Sequence, residues 1–158
     1  MITLEVDIGR QLMDVVDDGR IKHTYLISTA KNGPGEVRGS EMTPRGEHVI
    51  RAKIGTKEPV NTVFVKRRPT GEIYSQAMRA QFPERDWILT RIMWLSGLEP
   101  GKNRFGNVDT MRRYIYIHGS PDDVLMGTPG SRGCIRMRNS ELIELFNIVP
   151  HGTVVTIK

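Results

Sequence analysis

A single cysteine, four histidines and few aromatic side chains set the first limits on what this chain can do. One cysteine excludes an internal disulfide and any metal site built on several thiolates. The histidines are scattered, so no metal and no cofactor is expected. No apolar run nears the roughly 20 residues that cross a bilayer, and no transmembrane segment is expected. Met1-Ile2-Thr3-Leu4-Glu5-Val6-Asp7 lacks a basic stretch followed by an apolar one, so no signal peptide is visible there. The net charge of +5 is modest and its bases are dispersed, with small clusters at Lys66-Arg67-Arg68 and Arg112-Arg113. Without a dense basic face and interleaved aromatics, nucleic acid is not an expected partner. Such a surface also suits an anionic polymer or a substrate carrying carboxylates.

The 158 residues suit one domain over 1–158, long enough to bury a core without staples. Leu4, Val6 and Ile8 alternate with polar residues, and Asp17-Asp18-Gly19 separates two further apolar runs, which predicts a hairpin or meander. Strands are expected over 48–54, 63–65, 87–95, 114–118 and 153–157, where β-branched and aromatic residues gather. Segments 55–71 and 97–109 read as loops from their Gly, Pro and charged content, and either is a candidate lid. A short helix fits 75–81, ended by Pro83. Leu142, Leu145, Phe146 and Val149 fall at i, i+3, i+4 and i+7 and mark one face of a second helix, with Asn139 or Ser140 as its cap. The fold class is mostly β with one or two short α-helices.

Chemistry concentrates at Ile117-His118-Gly119-Ser120 and Ser131-Arg132-Gly133-Cys134-Ile135-Arg136-Met137. A thiol is an effective nucleophile when a base or a positive field favours its thiolate, and an imidazole supplies both. Gly133 removes a side chain beside Cys134, His118 ends an apolar strand, and the amides of Gly133 and Cys134 are candidate oxyanion donors. A buried, inert cysteine beside an unrelated histidine is the alternative that this pattern alone leaves open.

His118-Gly119-Ser120, then Gly127, Pro129 and Ser131 to Met137, then Gly152-Thr153-Val154-Val155-Thr156-Ile157, closely resembles the L,D-transpeptidase catalytic domain (YkuD-type). Ser28-Thr29-Ala30-Lys31 and Thr43-Pro44-Arg45-Gly46 resemble that family's early motifs, in the same order. The resemblance covers essentially the whole chain. It implies a β-sandwich-like catalytic fold, with Cys134 as nucleophile, His118 as base and the Gly119 carbonyl fixing the histidine tautomer. It further implies peptidoglycan stem peptides as substrates and a location in the cell envelope or periplasm. The thiolate would attack the L-centre carbonyl of diaminopimelate in a tetrapeptide stem and expel the terminal D-alanine. The thioester would pass to a second stem as a 3–3 cross-link, to a lysine of an envelope lipoprotein, or to water.

Many members carry histidine where this chain has Arg132. A guanidinium there either lowers the thiol pKa or holds a substrate carboxylate, or it is an exposed arginine without a role. Arg136 either binds a stem carboxylate or hydrogen-bonds the cysteine loop. Ser131 is expected to order the turn through local backbone bonds. His23, His48 and His151 read as packing or surface residues, and Arg67, Arg68, Arg112 and Arg113 mostly as solvated surface. Two competing functions stay open: an L,D-carboxypeptidase or other hydrolase on the same substrates, and a non-catalytic domain that binds cell wall or another anionic polymer.

Overall fold

Each apolar alternation near the start of the chain becomes a strand. In the computed structural model, which describes residues 1–158, β1 (Ile2–Asp7), β2 (Leu12–Asp17) and β3 (Arg20–Leu26) form an antiparallel meander. Leu4, Val6, Met13, Val15 and Tyr25 turn inward from it. The β2–β3 turn is Asp18-Gly19, with φ of 50° and 77°. A two-residue turn with both φ positive follows the natural strand twist, and Asp-Gly is a favoured pair for it.

The remaining strands are β4 (Gly46–Ile54), β5 (Thr62–Val65), β6 (Arg68–Ile73), β7 (Ile88–Gly97), β8 (Tyr116–Gly119), β9 (Ile135–Met137) and β10 (Val154–Ile157). They join in the order β3-β2-β1-β10-β4-β7-β5-β6, and β8 pairs both β7 and β9. Strand β7 is therefore the branch point. It pairs with β4 along its second half, with β5 near its start, and with β8 across a register shift between Leu89 and Ile92. Helices α1 (Gln76–Gln81) and α2 (Asn139–Ile148) complete the chain. The mostly β expectation, with two short helices, holds.

The sandwich-like core lies between the β3-β2-β1-β10-β4 surface and β8, β9 and α2. It includes Leu4, Val6, Ile50, Leu95, Ile117, Ile135, Met137, Leu142, Leu145 and Val155. Full burial of each such side chain contributes about 1.5–3 kcal/mol. Most of these residues are wholly inaccessible, so the strands that carry the site are anchored from beneath.

Three local readings need correction. Residues 68–73 form β6, so the loop expected over 55–71 gives way to a strand from Arg68; β6 is the outer strand of the sheet, and an edge tolerates Pro69. Residues 135–137 form β9, a strand the sequence reading did not separate from the cysteine turn. Helix α2 is capped by Arg138 without any side-chain bond, and neither Asn139 nor Ser140 caps it. Asn139 is buried, and its amide is engaged elsewhere.

Candidate active site

Strands β8 and β9 run parallel, with Ile117 opposite Ile135 and His118 opposite Arg136. Because side chains alternate along a strand, Ile117, Ile135 and Met137 enter the core while His118, Cys134 and Arg136 share the opposite face. His118 and Cys134 thus line one open cavity of about 550 Å³, with Lys66, Arg67, Asp86, Tyr114, Tyr116, Ser131 and Arg132 among its other walls.

The His118 ring is buried, and Nδ1 lies 2.6 Å from the carbonyl oxygen of Gly119. A carbonyl only accepts, so Nδ1 carries the proton and Nε2 of the neutral ring keeps its lone pair. Gly119 has no room for a side chain: a Cβ there would lie 2.2 Å from Asn139 Oδ1 and 2.7 Å from the Leu89 carbonyl.

Cys134 is the only thiol and is partly accessible. The Tyr116 N–H donates to its Sγ at 3.3 Å, and its S–H points to the Tyr114 carbonyl at 3.5 Å. No hydrogen bond joins thiol and imidazole in this resting arrangement. Gly133 supports the turn with φ of 131°, a value that disfavours any other residue. Ser131 ties the same turn, its hydroxyl donating to the Cys134 carbonyl at 2.6 Å and accepting from the Gly133 N–H at 3.1 Å. The Gly133 amide, expected as an oxyanion donor, is therefore engaged inside the loop. The Cys134 amide bonds no backbone carbonyl and remains available.

Burial pushes the Cys134 thiol up to about 12. The Tyr116 N–H and the charges of Arg136 and Arg113 pull it down, while Asp86 pushes it further up. Burial also holds the His118 imidazole below its ordinary value, against the opposing effects of Asp86 and the Gly119 carbonyl. The resting pair is therefore neutral thiol and neutral imidazole.

Of the two arginines in the motif, Arg136 is the more constrained: it donates to the Gly130 carbonyl at 3.1 Å and pairs with Asp86 at 3.7 Å. Arg132 is exposed, and its one bond, to the Glu84 carbonyl, is 3.5 Å long. It is not among the largest influences on the thiol. Arg113, read from sequence as surface, is instead half-buried and holds the 35–42 loop through the carbonyls of Gly35, Glu36 and Met42 and the Ser40 hydroxyl. Asp86 carried no sequence signal at all, since an acid in a loop before a strand is usually solvated. Of the two candidate lid segments, 55–71 contributes Lys66 and Arg67 to the cavity and 97–109 contributes nothing. His48 is buried between the Gly46 carbonyl and the Thr110 hydroxyl; His23 stacks on Tyr25, and His151 bonds the Arg51 carbonyl at the surface.

The family model for the L,D-transpeptidase catalytic domain (YkuD) matches residues 2–157. The YkuD protein of Bacillus subtilis strain 168, a candidate L,D-transpeptidase, is 30% identical over 172 residues that cover 99% of each chain. Among solved structures, an L,D-transpeptidase from Xylanimonas cellulosilytica superposes with a TM-score of 0.57 at 19% identity, covering 99% of this chain and 60% of that one. L,D-transpeptidase 3 from Mycobacterium tuberculosis, in complex with a faropenem-derived adduct, gives 0.60 at 15% identity with 99% and 60% coverage. This chain thus spans about three-fifths of those solved chains, and at such identities the likeness establishes the fold. With a family match across residues 2–157 and a relative aligned end to end, the chain belongs to the L,D-transpeptidase catalytic domain family.

Proposed function

We propose that residues 1–158 form one catalytic domain, a cysteine-dependent L,D-transpeptidase acting on peptidoglycan tetrapeptide stems in the cell envelope. The observation that carries this reading is a shared cavity holding His118 and Cys134, with His118 Nδ1 fixed on the Gly119 carbonyl at 2.6 Å.

Both groups are neutral at rest, so the thiolate forms when the substrate is bound. The Cys134 proton passes to His118 Nε2 as Sγ bonds the L-centre carbonyl carbon of diaminopimelate. The Cys134 N–H faces the developing oxyanion. Collapse breaks the bond to the terminal D-alanine, whose amine takes the proton from His118, and a thioester remains on Cys134. An acceptor amine then attacks the thioester, giving its proton to His118, and the released thiolate recovers that proton. A second stem as acceptor gives a 3–3 cross-link, and a lysine of an envelope lipoprotein gives an attached protein. Ser131 and Gly133 shape the loop, Arg136 steadies it through the Gly130 carbonyl, and Arg132 remains at the cavity mouth.

Two measurements test this. Intact-mass analysis with a carbapenem should show a covalent adduct on the native protein and none on Cys134→Ala; an adduct surviving on that variant would sink the assignment of the nucleophile. Incubation with defined tetrapeptide stems should yield cross-linked dimers. Tripeptides alone would identify a hydrolase, and unchanged stems would favour a binding domain.

A further inference from the structure

The cavity is strongly asymmetric in charge, with Lys66, Arg67, Arg113 and Arg132 facing one acid, Asp86. Asp86 is paired with Arg136, and Arg113 is occupied by its loop acceptors. Arg132 is exposed and loosely held, and Lys66 is exposed at a turn. Arg67 differs from all of these. Its guanidinium lies over the Tyr114 ring at 4.5 Å and the Trp94 ring at 5.1 Å. Its Nη1 donates to the Tyr116 hydroxyl at 3.0 Å, and it makes no ion pair. Stacking fixes the plane of an arginine while leaving its edge N–H donors free, which is the arrangement a carboxylate meets with two parallel bonds.

The backbone favours the same placement. Lys66 and Arg67 are the two residues of the β5–β6 turn, closed between Val65 and Arg68, and both have positive φ, 49° and 65°. Asn and Gly suit such positions, so two long cationic side chains are held there against local preference. Tyr116, which receives the Arg67 bond through its hydroxyl, also holds the Cys134 sulfur through its N–H. A carboxylate bound at Arg67 would therefore be registered against the nucleophile by one residue.

We propose that Arg67 binds a free carboxylate of the donor stem, so that the site selects carboxylate-bearing donors over carboxamide-bearing ones. This rests on the donor chemistry proposed above. The two carboxylates on the residues that flank the scissile bond qualify: that of the terminal D-alanine and that on the second centre of diaminopimelate.

The test compares kcat/KM for D-alanine or D-alaninamide release from three synthetic stems. One has both carboxylates free, one ends in D-alaninamide, and one carries diaminopimelate carboxamide. The native protein should lose about 10- to 100-fold with one carboxamide stem, the range for a charge-assisted bond, and that stem names the carboxylate. Arg67→Gln should bring the ratio between the free and affected stems close to one, and Arg67→Lys should retain part of it. Alkylation of Cys134 by uncharged iodoacetamide reports separately on the thiol. Equal loss of alkylation and of every stem in Arg67→Gln would assign Arg67 a purely structural role and overturn the proposal. So would a native protein indifferent to both carboxamides. Failure of the native protein to release the terminal residue from any stem would instead overturn the donor chemistry, and this proposal with it.

Discussion

The hydroxyl of Thr90 donates to Asn139 Oδ1 at 2.7 Å, directly beneath Gly119. Asn139 Nδ2 in turn reaches the Ser120 carbonyl at 2.9 Å and the side chains of Asn61 and Asp122. Thr90 sits at φ 77°, unusual for a β-branched residue, at the register shift where β7 passes β8. This buried network is the floor on which the Gly119 carbonyl, and through it the His118 ring, is set.

Gly119→Ala should therefore disturb both stability and chemistry. Its new methyl would meet Asn139 Oδ1 and the Leu89 carbonyl, costing about 1–3 kcal/mol as the backbone shifts. Carbapenem acylation should slow by about 100-fold or more, the low end for loss of a positioned base. Stopped-flow acylation and urea unfolding measure the two effects. A variant that acylates at the native rate would show that the ring does not depend on this carbonyl.

Thiol alkylation should follow the raised Cys134 value. With the free thiol ionising only near pH 12, iodoacetamide alkylation should keep rising beyond pH 9 and show no plateau there. On the proposed mechanism acylation needs a neutral His118, and the His118 value is depressed, so its acid limb should lie below the ordinary histidine range. A plateau in alkylation below pH 8 would mean that the resting pair is already ionised.

His48 predicts an acid-sensitive fold. Burial lowers its pKa to about 4, with the ring held by the Gly46 carbonyl and the Thr110 hydroxyl. The unfolded chain binds a proton near pH 6.5 that the folded chain refuses until about pH 4. Stability is therefore unaffected above pH 6.5 and falls as pH drops through this window, by about 3 kcal/mol in total. Urea unfolding at pH 7, 5.5 and 4.5 should show this slope, and His48→Gln should flatten it; equal slopes would remove His48 as the cause.

Arg113→Ala should loosen the 35–42 loop. Its guanidinium satisfies three carbonyls and a hydroxyl, the shortest bond being 2.6 Å to Met42, whose carbonyl in turn packs against Gly133. Loss should cost about 2–3 kcal/mol and expose the loop to limited proteolysis, and Arg113→Lys should rescue little because an ammonium cannot span the same acceptors. Arg132→Ala, by contrast, should stay within about 0.5 kcal/mol of the native protein, as for an exposed side chain. Thermal melts of the three variants suffice to check this.

What could be read from the sequence was what local periodicity and short motifs encode. The β1–β3 meander follows from alternation, the buried face of α2 from its spacing, and the strand-borne His118 and turn-borne Cys134 from their neighbours. Strand β6 was hidden because Arg68-Pro69-Thr70-Gly71 has loop composition, and only its edge position makes it a strand. Asn139 resembled a cap because it precedes an apolar periodic run, yet tertiary partners claimed its side chain. The burial of Arg113 and the site position of Asp86 depend on residues far away in the chain, where no local pattern reports them.

The parallel pairing of β1 with β10, Thr3 opposite Val154 and Val6 opposite Ile157, has a kinetic side. β10 also bonds β4, so the middle of the sheet stays open until the last strand arrives. Closing a loop of nearly the whole chain is entropically expensive, and folds dominated by such distant contacts assemble slowly. Until β10 docks, β1 and β4 present bare backbone edges to solvent, the kind of edge that pairs with other chains. Removing residues 154–157 should therefore convert a folding protein into an aggregating one while leaving both His118 and Cys134 in the chain.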